Sequence, residues 1–238
     1  MNKNIKLLLG LIYIICLAAI LYVVFSNLDF RDLKDLSLIK ERSQSILEYK
    51  KNNLFLLIAL FFIFSSVWVL FLGFGSPIAI VSGYVFGPWY GTFISVLSFT
   101  LGSSLLYLFA QYYFSEIIKK ILSEKIKPYR NFFNKNEFLY FMLFRFMGGA
   151  GIPFGIQNVL PVIFNMKLKN YLFSTFIGLF PTVFIINSLG SGIENIITKD
   201  KNFSYQSVIS NPQIYLPLLG FILLLAISYF VKNKIFKN

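Results

Sequence analysis

Phe71-Leu-Gly73-Phe-Gly75-Ser-Pro77-Ile-Ala-Ile-Val-Ser-Gly83-Tyr-Val-Phe-Gly87-Pro88 and, further along, Phe146-Met-Gly148-Gly149-Ala-Gly151-Ile-Pro153 decide the fold. Both are as apolar as membrane helices, yet Gly and Pro interrupt them at intervals too short for a full crossing. Pro77 to Gly87 is 11 residues, about 16 Å at the helical rise of ~1.5 Å per residue, or half of a bilayer's hydrocarbon thickness. In the second stretch the Gly148–Pro153 interruption separates two short apolar pieces. We therefore read 73–114 and 138–166 as broken or re-entrant segments. Lipid tolerates such segments only where protein covers the exposed backbone or where it lines a wet cavity.

Around them lie four charge-free runs of spanning length: Leu7 to Phe25, Leu54 to Leu72, Tyr171 to Leu189 and Ile214 to Val231. The 238-residue chain is 57% hydrophobic and 13% charged, with a mean hydropathy of +0.70; soluble domains carry about 25% charge. The expected fold class is all-α integral membrane, with about four spanning helices and two broken segments. The implied division is a 1–28 anchor, a 29–52 amphipathic connection, a 53–190 membrane domain, a 191–212 polar loop and a 213–238 helix with a basic tail. Residues 29–52 and 115–137 carry apolar positions at helical spacing between charges, as surface-lying helices do, and Pro128 is expected to stop the second.

The net charge of +12 sits mainly at the N-terminus, in 115–137, at Lys167 and Lys169, and in the C-terminal tail. By the positive-inside rule these flanks, and with them both termini, are cytoplasmic. Anionic lipid then accounts for the surplus, and nucleic acid is not an expected partner. Membrane lipids are, with homo-oligomerisation an open alternative. The Lys, Asn, Ile and Phe bias points to an AT-rich genome and a bacterial inner membrane. There is no His, and a single cysteine, Cys16. Imidazole ligands, a serine triad and CxxC chemistry are thus excluded, and no cofactor or metal is expected.

The interruptions also align with each other. Phe71-Leu-Gly73 with Pro77 parallels Phe146-Met-Gly148 with Pro153, and Ser98-Phe-Thr-Leu-Gly102 parallels Ser174-Thr-Phe-Ile-Gly178. Pro77 to Pro153 and Gly102 to Gly178 share an offset of 76. The readings are chance in a Gly- and Phe-rich chain, or an internal repeat, inverted in one form of it, with a site between the halves near the bilayer midplane.

At these residues the chain resembles the VTT-domain family, also called SNARE-associated Golgi proteins, related to the bacterial DedA proteins. Gly75-Ser-Pro77 through Gly83-Tyr-Val-Phe-Gly87 and Gly91 resembles the family's first motif; Arg145, Pro153-Phe154, Asn158 and Thr175-Phe-Ile-Gly178-Leu-Phe-Pro181 resemble its second. The likeness covers roughly residues 70 to 190. Gly148 and Gly149 stand where the family usually has a Pro soon after the Arg. DedA proteins proper carry acidic residues in the first broken segment, linked to proton-driven work. Here all ten Asp and Glu lie outside the apolar cores, so the likeness to the eukaryote-like branch is greater. The resemblance implies movement of lipid between leaflets, as a scramblase or flippase for phospholipid or a polyprenyl phosphate. A membrane-organising or interaction protein and a small-solute secondary transporter are the alternatives, and an enzyme is not expected.

Arg145, the sole charge between Phe138 and Met166, either contacts a lipid headgroup or snorkels to the interface. Gln157, Asn158 and Asn187 are amides at membrane depth, serving as helix glue or as substrate contacts. The substrate-path candidates are Arg145, Pro153, Gln157, Asn158, Pro77, Gly83 and Gly87. Gly91, Gly102, Gly148, Gly149, Gly151, Gly178 and Pro181 are expected to act as packing or hinge residues.

Overall fold

A computed structural model describes residues 36–71, 75–199 and 211–235, with scattered residues between Leu8 and Tyr22. The described residues are helical with no strand. In order, the elements are α1 (Leu36–Leu70), α2 (Gly75–Phe86), α3 (Pro88–Lys135), α4 (Glu137–Phe146), a 3-10 turn (Gly148–Gly151), α5 (Phe154–Val159), a second 3-10 turn (Leu160–Phe164), α6 (Leu168–Lys199) and α7 (Pro212–Ile235). Within them Gln44–Leu70, Pro88–Ile117 and Leu168–Ile197 are long and apolar enough to cross a membrane. The expected first span, Leu7 to Phe25, lies largely outside the described residues. The expected last one falls in α7, whose described apolar stretch, Ile214–Leu224, is shorter.

Three features depart from the sequence reading. Only the front of the first broken segment is short: α2 has 12 residues, about 18 Å of helix, but after Gly87 the chain starts α3, whose first 30 residues are of spanning length. Gly87 holds the break open with φ 81 and ψ 176, backbone that a side chain would strain. Pro88 follows at the first helical position, where its missing N–H costs nothing. The second departure is Pro128, which does not stop the helix; α3 runs through it to Lys135. The helix bends instead. Tyr107 donates a hydrogen bond to the Met166 carbonyl, and Phe133 stacks on Phe164 at 4.2 Å. In a straight helix those two residues would stand about 39 Å apart. A proline costs a helix one hydrogen bond and permits such a bend. The third departure is α6, which continues beyond 191 to Lys199, into the stretch expected to be a polar loop. α1 is also kinked, at Asn53 (φ −134, ψ 37).

The surface is apolar, unlike that of a soluble domain, and the interior mixes apolar side chains with many small hydroxyl residues. Phe55, Ile63, Trp89, Tyr90, Leu218 and Ile222 are exposed, whereas Ser65, Ser82, Ser95, Ser98, Ser103, Ser174 and Thr175 are buried. Hydrocarbon solvent gives no reward for hiding apolar side chains, so helices associate through close backbone approach and small residues. Some buried hydroxyls turn back on their own helices, as Ser66 does to the Phe62 carbonyl at 2.8 Å and Ser104 to that of Thr100 at 2.6 Å. Ser82 crosses to the Gly91 carbonyl of α3 at 3.0 Å, and the Ser65 and Ser95 hydroxyls have no hydrogen-bond partner among the described residues. Two apolar clusters complete the core, one around Val69, Ala79, Val96, Phe99, Leu179 and Val183, the other around Tyr107, Phe141, Val162, Met166 and Tyr171.

Candidate functional site

Arg145 is at 0% exposure, near the C-terminal end of α4, and so does not snorkel outward. Its guanidinium lies 4.9 Å from the centroid of Phe141 and 5.3 Å from that of Phe154, with Tyr171 at 6.0 Å. These ring faces stabilise a cation that water no longer solvates. Nη1 donates to Gln157 Oε1 at 3.2 Å; Nη2 donates to Asn158 Oδ1 at 2.6 Å and to the Tyr171 hydroxyl at 3.2 Å. Every hydrogen-bond acceptor of the cation is neutral, so the site keeps a net positive charge. Nε is buried with no partner among the described residues.

The surroundings fix these acceptors. Gln157 turns its amide nitrogen to the carbonyls of Ile152 at 2.6 Å and Gly148 at 3.3 Å, which ties the glycine turn to the guanidinium. Gly148, Gly149 and Gly151 all have positive φ, and a Cβ at Gly149 would overlap the Gln157 side chain. Three positive φ angles in four residues strongly favour glycine there. The Tyr171 hydroxyl points at the carbonyl oxygens of Ser103 and Asn158, each at 3.2 Å, and its ring stacks on Tyr107 at 4.5 Å. One side chain from α6 thus links α3, α4 and α5. Tyr171→Phe keeps the stacked ring but removes the one hydroxyl proton shared between two buried carbonyls and the acceptor of one guanidinium N–H, at about 1–3 kcal/mol. It is expected to lower the unfolding midpoint in detergent while leaving helix content unchanged, read by circular dichroism.

Beside this network is a cavity of about 220 Å³, walled by Gly75, Ser76 and Ala79 of α2, Phe99 of α3, Arg145, Gly148, Phe154, Gln157 and α6 residues from Leu179 to Ile186. The two interruptions therefore meet at one space. Of the path candidates, Arg145 and Gln157 line it, and Asn158 is buried against the Arg145 fork. Pro77, Pro153, Gly83 and Gly87 do not line it. Pro77 and Pro153 are exposed, and Gly87 is the hinge before α3. Gly83 is a packing position, where a Cβ would overlap the Asn187 carbonyl of α6. Gly91 faces Asn187 Oδ1, Gly102 faces the Ser66 carbonyl of α1, and Gly178 faces Met142 and Arg145 of α4. Pro181 lies inside α6, one residue before Thr182, whose hydroxyl donates to the Phe146 carbonyl at 3.4 Å. Sequence reading gave no site role to Tyr171 or Phe141, nor to Phe154, which it placed only in the second motif.

The family model described as the VTT domain matches residues 74–192, half of the chain. Among curated proteins, the chain is 24% identical over 189 residues to the Transmembrane protein 41 homolog of Dictyostelium discoideum, covering 76% of this chain and 53% of that one. It is 29% identical over 116 residues to the uncharacterized protein YqeD of Bacillus subtilis, covering 48% of this chain and 55% of the other. With the Transmembrane protein 41 homolog of Caenorhabditis elegans it shares 23% identity over 186 residues, 75% and 72% of the two chains. The chain thus spans about half the length of the first two. No solved structure matches it.

Proposed function

The chain belongs to the VTT-domain family of integral membrane proteins, and on that premise we propose that it exchanges lipids between the two leaflets, phospholipid or a polyprenyl phosphate. The cavity between the interruptions carries this reading. Arg145 and Gln157 are among the residues that line it, while the outside of the bundle is apolar. A headgroup crossing there exchanges water for fixed donors, and its tails stay in hydrocarbon. An anionic phosphate suits a cation whose hydrogen-bond acceptors are all neutral. Without a fuel, exchange runs downhill in both directions. We place both termini in the cytoplasm on the charge distribution and the protein in a bacterial inner membrane on the Lys, Asn, Ile and Phe bias, and keep the chain division read from the apolar runs, except that α6 carries the membrane domain's last helix on to Lys199.

We also read the two halves as repeats offset by 76. A packing equivalence supports this. A Cβ at Gly102 would meet the Ser66 carbonyl and lie 2.9 Å from Val69 Cβ; one at Gly178 would lie 2.7 Å from the Met142 carbonyl and 2.6 Å from Arg145 Cβ. Each residue of the second set is the first plus 76, so α3 crosses α1 as α6 crosses α4. Under this reading Arg145 corresponds to Val69, and only one half brings a cation to the cavity.

The test is reconstitution. In liposomes with a fluorescent phospholipid in both leaflets, the purified chain is expected to expose the inner-leaflet dye to an impermeant reductant, at equal rates with and without an ion gradient. A parallel arm uses a labelled polyprenyl phosphate. If neither probe moves faster than in empty liposomes, lipid exchange is wrong.

A further inference from the structure

At the other end of the second half, a surface pocket of about 430 Å³ opens between two turns: Asn134 to Phe138, which joins α3 to α4, and Phe164 to Asn170, which leads into α6. We propose that this pocket binds the phosphate of a lipid headgroup at the membrane surface, as a site separate from the Arg145 cavity. Lys135 and Lys167 line it together with Asn134, Asn136, Asn165 and Asn170. Neither ammonium pairs with a carboxylate among the described residues. The one carboxylate present, Glu137, already accepts from the Lys167 backbone N–H at 3.1 Å and from Asn170 Nδ2 at 2.7 Å through the same oxygen. Glu137 Oε1 thus holds the two turns together, and with its charge counted the two lysines leave the pocket a net positive charge for a ligand. Asn165 stands at the corner in the left-handed conformation, φ 53, which Asn adopts more readily than most residues.

Depth and chemistry both favour a lipid over a soluble anion. The apolar length of α6 starts at Leu168, immediately after Lys167, so the pocket lies where hydrocarbon gives way to headgroups. Phe138 and Phe164 form its apolar part, against which a glycerol backbone packs and inorganic phosphate does not. Two lysines near an anionic surface each strengthen binding by about fivefold, from ~1 kcal/mol apiece.

The experiment titrates the full chain in neutral detergent with dioctanoyl phosphatidylglycerol, dioctanoyl phosphatidylcholine and sodium phosphate, read by calorimetry. Phosphatidylglycerol is expected to bind at least tenfold tighter than phosphatidylcholine and than inorganic phosphate. K135Q/K167Q is expected to erase that preference, and K135R/K167R to keep it. Equal affinity of the wild type for the two lipids, or an unchanged preference in K135Q/K167Q, overturns the proposal. Inorganic phosphate binding as tightly as phosphatidylglycerol overturns the lipid assignment in favour of a free-anion site. The readout is binding and not exchange, so its failure is separable from failure of the leaflet-exchange reading.

Discussion

Gly83→Ala is expected to unseat α2 from α6, with a large loss of stability. The new Cβ would fall inside the carbonyl of Asn187. A backbone atom cannot rotate away as a side-chain tip can, so the helices must separate along their length, at about 3 kcal/mol or more. On the facing helix, a Cβ at Gly190 would overlap the Ile80 carbonyl. The two substitutions push the same pair of helices apart, so G83A/G190A is expected to cost less than the sum of the single variants. Gly87→Ala makes a useful contrast. Nothing lies within 4 Å of its would-be Cβ, and the cost comes from φ 81 alone, about 1–3 kcal/mol. Denaturant titration in detergent, followed by circular dichroism, ranks the three single variants and the double one. A Gly83→Ala midpoint equal to wild type would remove the close α2–α6 approach from the account of the fold.

The sequence announces these features unequally. Gly and Pro act locally, and their spacing locates both interruptions: α2 ends at Phe86 and the second break falls at Gly148 to Gly151. A lone arginine and two amides in apolar sequence also stand out, because desolvating them is costly wherever they go. What no local signal carries is that they share one hydrogen-bond set, or that Tyr171 and Ser103 complete it. With 29 Phe and 14 Tyr, nothing in the sequence singles out the rings that cover Arg145; tertiary packing selects them. Pro128 fails as a stop signal for the same reason, since the contact that holds α3 beyond it, Phe133 on Phe164, spans 31 positions. Gly83 shows the limit from the other side: its spacing marks a close approach, but only the fold says whether a helix or a substrate makes it.

Arg145→Lys is expected to slow lipid exchange at least tenfold in the liposome assay while the protein still folds. Lysine keeps the charge and much of the stem. It loses the planar fork that reaches Gln157 through Nη1 and both Asn158 and Tyr171 through Nη2, and a single ammonium cannot occupy both positions. One amide or the tyrosine is then unpaired in a buried site, at about 1–3 kcal/mol, and Gln157 is freed from the guanidinium that helps to hold the glycine turn at the cavity wall. Arg145→Leu separates charge from stability. Replacing buried charge by hydrocarbon is often neutral for folding, but here it leaves Gln157 Oε1 and Asn158 Oδ1 unpaired, and exchange is expected to fall further than with lysine. If charge alone mattered, Arg145→Lys would exchange lipid at the wild-type rate; if Arg145 served only the fold, activity would follow the melting midpoint across both variants. Loss of exchange in Arg145→Lys at a near-native midpoint is the outcome that ties the guanidinium fork itself to the passage of headgroups.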